Sequence, residues 1–418
     1  MNKHITEDSY AILLLCSALG LKGENTSNKS HEKYKPFSQK EWLNLTQRII
    51  KSGLERPSAL FKLTAGEIRD YLYLPEETAN RISYLLNRTT SLTMELEKLS
   101  NMGIWVTTRA ESNYPTKYKK RLKADSPTIL YGSGDISLVG TDGIGIVGSR
   151  DVDEPGQIFT SKLAKKCAEE NLTVISGGSR GVDMIAQETA LQSHGKVIAV
   201  LSDSLSKTIQ NREIRDAVIS GNLLLLSAFH PNSRFTSYNA LGRNKHIYGL
   251  SKYTLISSSD FNKGGTWKGA IENLKSGWVP AFVRTGDAVP VGNQELIKRG
   301  VIAITESELT SENVSLEHIL KNKLSATEDN TINNLSKLTS KDIFFTVWPI
   351  IEESLVKPKT EKELAELYQV EQNQMNIWLK KAVSLKKIKY LNDTHFISSV
   401  FYNKEDEATQ LDIFNIDR

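Results

Sequence analysis

Between residues 143 and 283, six short apolar runs alternate with segments of helical spacing. The runs are GIGIV (143–147), LTVIS (172–176), KVIAVL (196–201), LLLLS (223–227), YTLIS (253–257) and VPAFV (279–283). Segments 156–170, 181–194, 211–220, 238–250 and 265–276 read as the helices between them. Strands separated by helices cannot pair through hairpins, so each helix must carry the chain across to a parallel neighbour. The runs are apolar almost throughout, as strands covered on both faces require. The expected fold is α/β, with a doubly wound, mostly parallel sheet.

The rest of the chain is read around this core. At roughly 150 residues per domain, 418 residues correspond to two to four domains. Residues 1–100 are expected to be a helical domain. QKEWLNLTQRIIKSGL (39–54) has apolar residues at helical spacing, and 63–86 reads as two short helices meeting at Leu74-Pro75. Thr64 and Glu67 form a capping-box pattern at the first. This pair is a degenerate helix-hairpin-helix, because its turn lacks the glycines that let backbone amides approach phosphate. Residues 101–310 form the core with its entry segment: a strand at 103–108, the basic stretch NYPTKYKKRL (113–122) and a strand within 126–138. Lys117, Lys119, Lys120 and Arg121 there face phosphate or form a solvated helix face. Residues 311–340 read as a polar linker holding at most one short helix. Residues 341–400 give three helices and a hairpin turning at Asn392-Asp393, the order of a winged-helix domain. Residues 401–418 read as a flexible tail.

Composition narrows the classes. With 39% hydrophobic and 24% charged residues, a wholly disordered or collagen-like chain is excluded. The net charge of +4 permits nucleic-acid binding without arguing for it. Cys16 and Cys167 stand far apart, which excludes a disulfide framework and makes a reducing cytoplasm the expected compartment. His194, His230, His246 and His395 form no metal spacing, and no cofactor is expected. The apolar stretch AILLLCSALGL (11–21) is too short to span a bilayer and lacks a signal peptide's basic flank. It reads as a buried helix.

Three glycine-bearing loops follow strands of the core: VGSR (147–150), SGGSRGVD (176–183) and NKGGTWKGA (262–270). In a parallel sheet such loops emerge at one edge, where ligands bind. Glycine lets amides approach a phosphate, and a helix N-terminus adds partial positive charge. Arg150, Arg180 and Lys263 lie in these loops, and Arg243 and Lys245 lie in GRNKHIYGLS (242–251). A phosphate site is therefore expected; the plain alternative is that the glycines only make tight turns. No G-x-G-x-x-G follows the first strand and no G-x-x-x-x-G-K-[ST] is present, which argues against nicotinamide dehydrogenases and that class of ATPase.

YPTKYKKRL, SPTILYGSGD, GIGIVGSR, VISGGSRGVDMIAQETAL, GKVIAVL, GRNKHIYGLS and GGTWKGA occur in this order within residues 99–283. In these motifs the chain resembles the DNA-processing protein A family (DprA, also called Smf). The resemblance implies a Rossmann-like core between an N-terminal helical domain and a C-terminal winged-helix domain. It also implies non-catalytic binding of single-stranded DNA in DNA processing or recombination, as in natural transformation. A RecA-type recombinase is an implied partner, as is a second copy in a homodimer; no membrane is. Carried over motif by motif, it implicates Gly148, Ser149 and Arg150; Ser176, Gly177, Gly178, Arg180, Gly181 and Asp183; Arg243, Asn244 and Lys245; and Gly264, Gly265 and Thr266 beside Lys263. Amides and cations there would track a strand's phosphates with little sequence preference.

The chain departs from the family pattern in three places. The second loop reads GGSRGVD against G-x-A-R-G-[IV]-D. The third reads GGTW where a glycine-serine pair is usual, and FTSYNALG (235–242) lacks the Phe-Pro before Arg243. These mark a divergent member. The rival reading is a Rossmann-like pocket for a nucleotide or nucleotide-derived signal, as in phage defence. Phosphoribohydrolases of similar fold carry G-G-x-G-T-x-x-E; here Glu272 falls one position late, so catalysis is not expected. Trp267 and Tyr248 stack a base or pack in the core, and Asp183 caps its helix or holds Arg180. Lys380, Lys381, Lys386, Lys387 and Lys389 suit DNA or a protein partner equally. In the tail, Gln410, Leu411, Ile413 and Phe414 of QLDIF resemble the peptide with which bacterial proteins dock on the DNA sliding clamp.

Overall fold

All six apolar runs become strands because each can be covered on both faces. The computed structural model describes residues 5–21, 34–287, 289–310, 314–339, 342–390 and 395–399. Its main sheet has nine strands: β1 (Trp105–Thr108), β2 (Ile129–Ser133), β3 (Gly143–Val147), β4 (Thr173–Ser176), β5 (Val197–Leu201), β6 (Leu223–Ser227), β7 (Tyr253–Ile256), β8 (Ala281–Arg284) and β9 (Ile302–Ile304). Their order is β1-β2-β6-β5-β4-β3-β7-β8-β9. Strands β3 to β9 are parallel, whereas β1 and β2 add an antiparallel edge. Strand β9 is an addition to the sequence reading: three residues at the sheet's edge, two of them half-buried, make too short a run to stand out.

The period-two alternation divides the sheet between two cores. Ile144, Ile146, Val174, Val197 and Ala199 face one, with Phe159, Leu163 and Ala186 from the covering helices Glu154–Glu169 and Val182–Gln192. Val147, Ile175, Ile198 and Val200 face the other, with Ile247, Tyr248, Trp267 and Ala270 from helices Ser237–Leu250 and Gly264–Ser276. The chain runs outward from β3 through β4 and β5 to β6, then returns to the other side of β3 as β7. This reversal opens a crevice at the carboxyl ends of β3 and β7, the position where open α/β sheets bind ligands.

The helices of the first hundred residues share the first core. Ala11 to Leu15 of helix Glu7–Cys16 are completely or almost completely buried. The buried Arg88 donates to the carbonyls of Leu14, Ser17 and Leu19, satisfying groups that the end of that helix leaves open. The expected helix pair is Ala65–Leu72 and Glu76–Leu86, and the Thr64/Glu67 capping box forms. At its turn Tyr73 takes the left-handed conformation, and Arg48 donates to the carbonyls of Leu72 and Tyr73. The basic stretch also serves packing. In helix Thr116–Leu122, Lys117 donates to the Thr141 carbonyl, Arg121 to those of Gly249 and Ser251, and the Lys119 ammonium lies over the Tyr114 ring. Three of its four cations are thus half-buried and held by neighbouring groups.

The structure departs from the sequence reading at residues 311–340. A 24-residue helix, Leu316–Thr339, occupies most of the expected linker. Its first turns hold because Leu316 and Leu320 are fully buried and Glu170 accepts from the Leu316 amide.

The chain divides into two compact units, Met1–Leu324 and Ser325–Arg418. The second contains helices Ile343–Glu353, Glu361–Leu367 and Gln372–Ser384 with β10 (Lys359–Thr360), β11 (Ile388–Tyr390) and β12 (His395–Ser398), in the antiparallel order β10-β12-β11. Phe344, Trp348, Leu364, Met375, Leu379 and Phe396 form its core. Lys381 pairs with Asp342. The expected turn at Asn392-Asp393 and the QLDIF segment lie outside the described residues. Among the described residues no helix is long and apolar enough to cross a membrane.

Candidate functional site

A cavity of about 460 Å³ lies at the crevice, where the loops after β3 and β7 face the helix Ser237–Leu250. Of the sequence-predicted residues, Gly148, Ser149, Arg150, Asp183, Arg243, Asn244, Lys263, Gly264, Gly265 and Thr266 line it. Ser176, Gly177, Gly178, Arg180, Gly181 and Lys245 do not. Lys245 projects from the other side of its helix and lies 3.6 Å from Asp125. Asp151, Ser179, Phe235, Asp260 and Lys268 line the cavity without having been read from the sequence. Lys268 had a usable signal, since it stands one helical turn after Gly264.

The second loop is a brace for the first. The Ser149 carbonyl accepts from the Val182 amide at 3.3 Å, and the Ser149 amide donates to Ser258 at 2.9 Å. Gly181 has φ +84°, and a Cβ there would lie 2.5 Å from the carbonyl oxygens of Ser149 and Arg150. Only glycine meets both demands. Ser176 is fully buried and its hydroxyl donates to the Ile146 carbonyl at 2.7 Å.

Arg243 is buried beneath this second loop. Its guanidinium donates to the Val200 carbonyl at 3.1 Å and to Ser179 Oγ at 3.0 Å, and sits 3.5 Å from the Asp183 carboxylate. Burial pushes the Asp183 carboxyl above its ordinary range, opposed by the charge of Arg243. A Cβ on Gly177 would fall 1.2 Å from Arg243 Nη1, so the loop crosses the guanidinium without a side chain between. The expectation that Asp183 holds Arg180 is corrected. Asp183 pairs with Arg243, and Arg180 pairs with Asp151 at 2.7 Å on the exposed rim.

These two pairs use up Arg243, Arg180, Asp183 and Asp151. Arg150, Lys263 and Lys268 are exposed cations at the cavity, whose lining carboxylates are Asp260, Asp151 paired with Arg180 and Asp183 paired with Arg243. The Arg150 guanidinium stands over the half-exposed Phe235 ring, 5.1 Å from its centre. Helix Gly264–Ser276 begins in the third loop with no side-chain cap, whereas at the start of helix Val182–Gln192 the Val182 and Met184 amides already donate to the Ser149 and Ser179 carbonyls. Asn244 donates to the Gly265 carbonyl at 2.9 Å, fixing the third loop to helix Ser237–Leu250. Backbone donors and free cations thus converge on one concave surface, an arrangement suited to phosphate groups.

Trp267 and Tyr248 belong to the core. Trp267 is 6% exposed and packs edge-on against Phe261, and Tyr248 is 1% exposed. The exposed aromatic rings near the site are Phe235 and Tyr238 instead. Glu272 does not line the cavity.

The family model described as "DNA recombination-mediator protein A" matches residues 105–315, half of the chain. Protein Smf of Escherichia coli is 32% identical over 203 residues, covering 46% of this chain and 52% of that protein. DNA processing protein DprA of Streptococcus pneumoniae is 26% identical over 189 residues, covering 44% of this chain and 66% of its own length. The alignments therefore take in about half to two thirds of the length of these curated relatives. The solved structure of DNA processing protein A from Streptococcus pneumoniae aligns with a TM-score of 0.49 at 21% identity, over 65% of this chain and 96% of that one.

Proposed function

Because this chain belongs to the DNA recombination-mediator protein A family, we propose that it binds single-stranded DNA as a recombination mediator, without catalysing a reaction. The observation that carries this reading is the cavity at the ends of β3 and β7, where Arg150, Lys263 and Lys268 stand exposed beside the uncapped start of helix Gly264–Ser276. An exposed rim of cations suits a continuous phosphate backbone. A nucleotide signal would call for enclosure and contacts to a base edge.

In this reading Arg150, Lys263 and Lys268 meet phosphates, and the amides at Gly264 and Gly265 add donors. Arg243 and Asp183 act as positioning residues that hold the second loop under the first. The three helices and small antiparallel sheet of the second unit are proposed as a winged-helix domain serving DNA or a protein partner. A RecA-type recombinase would receive the bound strand, a homodimer would present two such sites, and the QLDIF segment would dock on the sliding clamp. The cytoplasm is the compartment proposed.

Binding of the purified protein to a labelled oligo-dT strand and to the matching duplex, over a salt series, tests the reading. Tight, salt-sensitive preference for the single strand is expected. Equal binding of duplex and strand, or none, overturns it.

A further inference from the structure

The helix Ser237–Leu250 is a wall shared by two cavities. Arg243, Asn244 and Ile247 face the phosphate cavity, whereas Tyr238, Gly242, Lys245 and His246 face a second cavity of about 330 Å³. The second is completed by Phe37 from the N-terminal helical section, Tyr131 of β2 and Phe229 and His230 after β6. Its chemistry differs from the first. Four aromatic rings line it, Phe37, Tyr131, Phe229 and Tyr238, and among the described residues no carboxylate does.

Two features point to a ligand with a flat ring. His246 lines the cavity and is 4% exposed, and among the described residues its buried Nδ1 has no hydrogen-bond partner. Burial and the nearby charges of Lys245 and Arg243 hold this imidazole down to about 3, so it is neutral near pH 7. A neutral imidazole adds no charge to this ring-lined wall. The second feature is Gly242. A Cβ there would meet only the Phe229 ring, at 4.0 Å, so bare helix backbone leaves the cavity open. Tyr238 is 83% exposed.

We propose that this second cavity receives a nucleobase of the single strand whose phosphates lie in the first. The proposal rests on the single-stranded DNA reading above. The two cavities lie on opposite sides of one helix, about 10–12 Å across with its side chains. A strand crossing the exposed start of that helix would leave phosphates at Arg150 and Lys263 and turn a neighbouring base in behind Tyr238. Ring-on-ring contact accepts any base, which suits a protein without sequence preference.

The test compares an oligo-dT strand with an abasic strand of the same length and backbone. The wild-type protein is expected to favour dT by on the order of tenfold, the size of one base stacked on an aromatic side chain. Gly242→Leu fills the cavity and Tyr238→Ala removes its exposed ring. Both are expected to abolish that preference while keeping affinity for the abasic strand. Lys263→Glu is expected to weaken both strands alike. If Gly242→Leu loses the abasic strand too, the variant is misfolded and Tyr238→Ala decides. Equal wild-type affinity for the two strands, or a preference that Tyr238→Ala retains, overturns the base cavity and leaves the phosphate site standing. A wild-type protein that binds neither strand overturns both.

Discussion

The guanidinium of Arg243 and the carboxylate of Asp183 meet at 3.5 Å, 3% and 6% exposed respectively, directly beneath the loop that braces the cavity at the ends of β3 and β7. Each has further partners: Val200 and Ser179 for Arg243, and the Ser179 amide for Asp183. The pair is a structural clasp between helix Val182–Gln192, β5 and helix Ser237–Leu250. Asp183→Asn leaves a buried cation without its counter-charge and is expected to cost about 3–5 kcal/mol. Urea unfolding measures this. A loss below about 1 kcal/mol would show that the pair does not hold the loop.

Gly177 is the other half of the same arrangement. With a Cβ position 1.2 Å from Arg243 Nη1, Gly177→Ala must displace the guanidinium or the loop. We expect it to destabilise the fold as severely as Asp183→Asn. The two changes combined should cost less than their sum, because both break one contact set. Strict additivity in the double variant would separate them.

Charge reversal separates contact residues from braces. Lys263→Glu is expected to weaken binding across all sequences and to lower the salt slope by about one phosphate contact. Arg180→Glu, on a pair with Asp151 that is already solvent-exposed, should change the slope less. Titrations at several salt concentrations check both. An unchanged slope in Lys263→Glu would remove that lysine from the interface.

Acid stability should fall in two stages. His246 has its ordinary value near 6.5 when unfolded and about 3 when folded, so the unfolded chain binds the extra proton between them. Its contribution is complete above pH 6.5 and is lost as the pH falls toward 3. Glu41 is held down to about 2 by its hydrogen bond from Arg81, so its contribution is complete above 4.5 and lost below. His246→Phe should therefore flatten the dependence of Tm on pH between 6.5 and 4.5 while leaving the steep fall below it. A variant whose profile parallels the wild type would show that His246 is not buried neutral.

The clamp-docking reading of QLDIF turns on its aromatic residue. Phe414→Ala is expected to weaken binding to a bacterial sliding clamp by roughly 30-fold, as loss of a buried anchor does, with single-strand affinity unchanged. Retained clamp affinity in a pull-down or titration would end that assignment.

The parallel sheet and the edge carrying its loops were legible because they depend on local properties. LLLLS and KVIAVL are apolar through successive residues, and burial on both faces of a strand needs nothing more. The positions of Arg150, Lys263 and Gly265 after strands likewise placed them at one edge before any coordinates. Which charge meets which was a different matter. Arg180 lies three residues from Asp183 in the chain, yet Asp183 finds Arg243, sixty residues on, because β4 and β5 lie side by side under the helix that carries it. Lys245 and Asn244 are neighbours in the chain, but helical rotation sends one to the phosphate cavity and the other to the aromatic one. The second cavity itself joins Phe37, Tyr131, Phe229 and His246, and no local pattern could assemble residues so far apart. Sequence alone determined which segments must be buried and where glycine loops must emerge, since burial follows from each residue's own chemistry. The tertiary structure decided the pairings, because these depend on which distant segments the packed sheet brings within a few ångströms.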